Sequence, residues 1–102
     1  MEAYFTNKEL EKLYTTGTSR KYPLQSDIIR KFVMCVRKIM AAEDIHDFWR
    51  DPSLNFERLR GFENRHSMRL NQKWRLEMEI DWQNDEHTIG IFSLEDISNH
   101  YK

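Results

Sequence analysis

Six cationic side chains fall within residues 56–75: Arg58, Arg60, Arg65, Arg69, Lys73 and Arg75. Glu57 and Glu63 are the acids among them, and His66 sits in their midst, so this stretch carries a net +4. Arginine suits phosphate, because its planar fork makes two charge-assisted hydrogen bonds at once and keeps its charge at any working pH. The flanks differ: residues 1–55 carry +1 and residues 76–102 carry −6. The whole chain, with 16 Lys+Arg against 17 Asp+Glu, therefore averages to −1. A basic band beside an acidic one can meet a polyanion with one face at almost no net charge. The plain alternative is that antiparallel strands pair the two bands across a solvated surface.

Arg75 is the most informative of these cations. It lies inside a run in which Trp74, Leu76, Met78, Ile80 and Trp82 alternate with Arg75, Glu77, Glu79 and Asp81. Such alternation makes a strand with one buried and one wet face, so Arg75 projects from a rigid platform on the face opposite Trp74 and Leu76. Its alternative role is a cross-strand pair with an acid such as Glu95 or Asp96. At the other end, Asn99-His100-Tyr101-Lys102 brings an imidazole, a phenol and an amine together. A terminal aromatic can pack on a sheet or stack on a base.

Other chemistries have little support. His46, His66, His87 and His100 fall at no metal-ligand spacing, and the single cysteine, Cys35, excludes a thiolate cluster, so no metal and no cofactor are expected. The chain has no P-loop, no Gly-x-Gly-x-x-Gly and no Gly-x-Ser-x-Gly. The carboxylates of residues 77–86 read as a solvated strand face.

The elements that must position the band follow from periodicity. Asn7 caps a first helix with apolar positions Leu10, Leu13 and Tyr14, which Gly17 stops. Ser26 is the capping candidate for a second helix running to about Ala42. Its stripe is Ile28, Ile29, Phe32, Val33, Val36, Ile39 and Met40, with Cys35 flanking it as a small, partly buried residue. A short helix over Asp44–Pro52 is expected to turn Phe48 and Trp49 inward. After it the period changes from 3.6 to 2. Phe56 to Arg60, Ser67 to Leu70, Trp74 to Trp82 and Thr88 to Leu94 read as strands, with turns at Asn71-Gln72 and Asn84-Asp85. Tyr4-Phe5 reads as an edge strand. Helices followed by strands predict an α+β fold, a small antiparallel sheet packed on two N-terminal helices.

At 102 residues, with 39% hydrophobic residues, 3 Gly and 2 Pro, the chain is expected to be one domain, 1–102, with a real core. No apolar run approaches the ~20 residues of a membrane span. Met1-Glu2-Ala3-Tyr4-Phe5 lacks a signal-peptide layout, and one cysteine fits a reducing compartment, so a cytoplasmic protein without a membrane partner is expected.

These pieces, in this order, resemble the HigB toxins of the RelE/ParE-like superfamily. Phe56-Glu57-Arg58-Leu59-Arg60-Gly61 and Ser67-Met68-Arg69-Leu70-Asn71-Gln72-Lys73-Trp74-Arg75-Leu76 are similar to that family's core segments. Ile97-Ser98-Asn99-His100-Tyr101-Lys102 is similar to its terminal His/Tyr signature. The resemblance implies a bacterial type II toxin that cuts mRNA on the ribosome without a metal. It further implies a HigA-like helix-turn-helix antitoxin, through which alone the toxin would meet operator DNA. Carried over residue by residue, Arg75 would stabilise the phosphorane and Arg60 would hold the scissile phosphate. His100 or Tyr101 would move a proton or stack on a base. Glu57, where relatives often carry an active-site histidine, is the possible base. Arg58, Arg65, His66, Arg69, Lys73 and Lys102 are basic neighbours expected to meet RNA. Two alternatives stay open: a non-catalytic, ParE-like toxin that inhibits DNA gyrase by binding, and a binding module whose basic band merely pairs with the acidic one.

Overall fold

The computed structural model describes residues 1–99, and the terminal His100, Tyr101 and Lys102 lie outside them. The alternating run forms the longest-paired strand of a five-stranded sheet. In chain order the elements are β1 (Ala3–Phe5), α1 (Lys8–Thr16), α2 (Ser26–Ala41), α3 (His46–Trp49), a 3-10 turn (Pro52–Leu54), β2 (Glu57–Arg58), β3 (Arg65–Arg69), β4 (Trp74–Trp82) and β5 (Gly90–Asn99). The strands lie in the order β1-β5-β4-β3-β2.

Local chemistry accounts for the helix ends. The Asn7 side chain accepts from the backbone N–H groups of Glu9 and Leu10, which have no partner within the helix. Gly17, at φ 80°, closes α1 by donating its N–H to the Leu13 carbonyl. The second cap differs from expectation. Gln25 takes the capping position without a side-chain hydrogen bond, and Ser26 is already helical.

Leu10 and Leu13 from α1, and Ile28, Phe32, Cys35, Val36 and Ile39 from α2, are buried against one face of the sheet. Leu76, Met78 and Ile80 of β4, with Phe92, Leu94 and Ile97 of β5, complete that core. Burial pushes the Cys35 thiol up to about 11, consistent with a packing residue rather than a nucleophile.

Four findings refine the sequence reading. The sheet is mixed: β1 runs parallel to β5, pairing Tyr4 with Ser93, while the other pairings are antiparallel. Most of the chain, the helices and β2–β4 included, separates β1 from β5, and such a long connection permits either direction. β5 runs past Leu94 to Asn99 through a bulge, because Glu77 faces Asp96 while Met78 faces Leu94. That leaves Glu95 as the extra residue and breaks the period-2 pattern where the strand was expected to end. β2 is short, since Gly61 at φ 84° turns the chain soon after Arg58. Finally, α3 buries Phe48 but leaves Trp49 56% exposed, contrary to the expected inward packing of both. A one-turn helix presents only one flank to the core, and Phe48 occupies it.

Candidate nucleic-acid interface

The face of the sheet turned away from the helices carries the charged residues of β4. The turn from β3 to β4 is closed by Asn71, whose side-chain oxygen accepts from the N–H groups of Lys73 and Trp74 at 2.8 and 2.7 Å. This sets the β3–β4 register, in which Arg65 faces Glu79, Ser67 faces Glu77 and Arg69 faces Arg75. On the other side Arg75 faces Ser98, and its Nε donates to Ser98 Oγ at 3.3 Å.

A groove of about 690 Å³ opens over this face. Arg75, Glu77 and Ser98 line it from the central strands, and Glu57, Arg58 and Arg60 line it from β2 and the following turn. Glu57 and Arg75 also line a small adjoining recess of about 30 Å³, together with Ser67 and Arg69. The fold thus brings Glu57, Arg58, Arg60 and Arg75 to one opening although β2 and β4 are separated by β3. Lys73 is exposed on the β3–β4 turn and lines a different hollow, beside Pro23 and Leu24.

The centre of the face is an ion-pair network that pairs the basic band with the acidic one, through partners the sequence did not single out. Arg65 Nε donates to Glu77 Oε1 at 2.8 Å, and Arg65 Nη1 reaches Glu79 at 3.2 Å. Arg75 Nε lies 3.6 Å from Glu77 Oε2, to which Ser98 Oγ also donates. Burial alone would raise the Glu77 carboxyl. The hydrogen bonds from Ser98 and Arg65, with the charges of Arg65 and Arg75, outweigh it and hold the group below the ordinary carboxylate value. Burial likewise works against the Arg65 charge, yet Glu77, with Glu95 and Glu79, holds it above the ordinary value.

The network sorts the expected residues. Arg75 is paired with an acid, but the partner is Glu77, two residues along its own strand, rather than Glu95 or Asp96. Its side chain is still 25% exposed, at the floor of the groove. Arg65 is committed to Glu77 and Glu79 and only 18% exposed, so it braces the face rather than offering an open cation. His66, expected as a basic neighbour of RNA, is set apart from these cations. It is 8% exposed, stacked on Phe56 at 5.1 Å, and it does not line the groove with Arg75. Burial, aided by the Arg58 charge and opposed by the hydrogen bond at the Asn64 carbonyl, lowers its pKa and keeps the ring neutral near pH 7. Asp96 is also occupied, accepting from Tyr22 Oη at 2.6 Å and from the Ile97 N–H at 2.9 Å. Glu77 and Ser98 could have been suspected from alternation, which puts Glu77 on the Arg75 face. Ser98 carried no such signal, because the bulge resets β5.

Residues 3–90 match a family model described as the RelE-like toxin of the type II toxin-antitoxin system HigB. The chain belongs to the HigB-like toxin family. Comparison with curated proteins returned no match. This HigB-like chain is thus the toxin of a type II system, and membership implies an antitoxin partner. Among the described residues of the toxin, no helix is long and apolar enough to cross a membrane. No cluster of three or more His, Cys, Asp or Glu side chains suited to a metal occurs among them either.

Proposed function

We propose that this toxin is a ribosome-dependent endoribonuclease that cleaves mRNA by attack of a 2′-hydroxyl on the adjacent phosphorus. The observation that carries the proposal is the placement of Arg75. It stands on a central strand, tied to Ser98 and Glu77, at the floor of a groove rimmed by Arg58 and Arg60. A phosphorane gains charge on its equatorial oxygens, and a cation fixed before the reaction stabilises that charge without reorganising.

In this reading the 2′-oxygen bonds to phosphorus as the P–O5′ bond breaks, leaving a 2′,3′-cyclic phosphate and a 5′-hydroxyl. Glu57, exposed and lining both openings beside Arg75, takes the 2′ proton. Arg60 holds the scissile phosphate or its neighbour, and Arg58, Arg69 and Lys73 meet the flanking backbone. By family resemblance His100 or Tyr101 protonates the O5′ leaving group or stacks on a base, and Lys102 adds a cation beside them. Glu77 is a positioning residue: it carries no reacting proton and anchors Arg65 and Arg75 through its two carboxylate oxygens. By the same resemblance the antitoxin is a HigA-like helix-turn-helix protein, and both act in the bacterial cytoplasm.

The test is a cell-free translation reaction with mRNA ends mapped for the parent and for Arg75→Ala. Loss of one fixed charge-stabilising donor lowers the rate by roughly 10²–10³-fold. Equal cleavage by the two proteins would refute the role of Arg75, and intact mRNA with the parent would refute the reaction.

A further inference from the structure

Around the edge strand from the groove lies a second opening, of about 410 Å³, walled mainly by rings, with Glu63 and Asn64 also lining it. Trp49, 56% exposed, stands on one side with its ring 5.4 Å from Phe56 and inclined at 67°. Trp82 stands on the other, stacked with the His87 imidazole at 5.2 Å and 2°. His87 holds that position at φ 56°, a left-handed conformation uncommon for a residue with a Cβ. Phe56 and His66, stacked at 12°, line the hollow between them.

One residue joins the two openings. Arg58 lines both the groove and the hollow, and its Nε and Nη2 each donate to the Phe62 carbonyl at 3.3 Å, holding the guanidinium at the sheet edge. A strand of RNA leaving the groove over β2 therefore meets a fixed cation and then flat ring faces. Aromatic walls beside a cation suit an unpaired base, whose π-face stacks whatever its identity.

We propose that this hollow binds one unpaired nucleobase of single-stranded RNA, outside the groove that holds the scissile phosphate. The assignment rests on the nuclease reading for its direction, but it can be tested apart from cleavage. Anisotropy of a labelled, 2′-O-methyl single-stranded oligonucleotide, which cannot be cut, is measured at low salt. The proteins are the parent, Trp49→Ala, Trp49→Phe and His87→Ala. Trp49→Ala should weaken binding roughly five- to hundredfold, the range for one lost base stack. Trp49→Phe keeps a ring and should retain most of the affinity, while His87→Ala, which leaves Trp82 in place, should lose several-fold. A duplex of the same sequence, its bases already stacked, should not distinguish the four proteins. Thermal midpoints check that each is folded.

Unchanged single-strand affinity in both Trp49→Ala and His87→Ala would overturn the proposal. So would an equal loss for the duplex, no binding by the parent, or a loss confined to antitoxin binding. Mapping mRNA ends with the same proteins separates the two readings. A parent that binds through Trp49 but cuts nothing refutes the nuclease alone. A parent that cuts, while Trp49→Ala and His87→Ala both bind RNA as well as it does, refutes the hollow alone.

Discussion

Glu77 is the residue whose removal most sharply tests the account of the charged face. Its side chain is 13% exposed and accepts from Arg65 Nε at 2.8 Å and from Ser98 Oγ, with Arg75 Nε 3.6 Å away. Glu77→Gln keeps the shape and removes the charge. Stripping one partner from a buried ion pair costs about 3–5 kcal/mol, because it strands the other charge. Here the loss is smaller. The glutamine oxygen still accepts a hydrogen bond, and Arg65 keeps Glu79, an exposed partner worth under about 1 kcal/mol. The expected cost is about 2 kcal/mol, or about 10 °C in thermal midpoint for a domain of this size. The sign with pH follows from the lowered pKa. The native state holds Glu77 ionised more firmly than the unfolded chain does, so its contribution is present above the ordinary value of about 4.3 and is lost as pH falls below it. The parent should therefore lose more stability than Glu77→Gln below about pH 4. A double-mutant cycle with Arg65→Met should give a coupling of about 1–2 kcal/mol. If Glu77 also positions Arg75, the variant should cut mRNA about tenfold more slowly. It should nevertheless bind RNA more tightly at low salt, because the groove has lost a negative charge. Additive stabilities within about 0.5 kcal/mol would refute the network, and unchanged cleavage would refute the positioning role.

Two further tests concern the frame that carries the site. His66 is stacked on Phe56 with its pKa below the ordinary 6.5, so the folded state disfavours the protonated ring, and stability should fall as pH drops through the window below about 6.5. His66→Phe, which keeps the stack, should flatten urea midpoints between about pH 5 and pH 6.5; parallel slopes in the two proteins would contradict this. At Gly90 an added Cβ would collide with Ile80 Cγ2 and lie 3.2 Å from the Asp81 carbonyl oxygen, so Gly90→Ala should cost about 2 kcal/mol of stability. A midpoint within a degree or two of the parent would show that the β4–β5 pairing gives way more readily than its geometry indicates.

Much of this molecule is legible in one dimension because burial along a single element leaves a period. The alternation of Trp74 to Trp82 yields β4 and the face of Arg75, and the stripe from Ile28 to Ile39 yields α2. Asn7, Gly17 and Asn71 announce their caps and turns because each acts on backbone within a few residues. What the sequence could not settle was which residues from different elements would meet. Alternation singles out the face of Arg75, but Arg58, Arg60 and Arg65 are alike as cations in the chain, and register across three strands decides which of them join it. It puts Arg65 against Glu77 and Glu79 and leaves Arg58, Arg60 and Arg75 around one groove. The same holds for His66, basic by type but buried by the Phe56 stack, and for Trp49, apolar by type but exposed where Phe48 takes the core. The bulge at Glu95 shifts Ser98 onto the Arg75 face, and no local pattern announces it. Type and spacing set which chemistry is available along a strand or helix. Pairing between elements, governed by long-range packing and loop closure, decides which of those groups share a site.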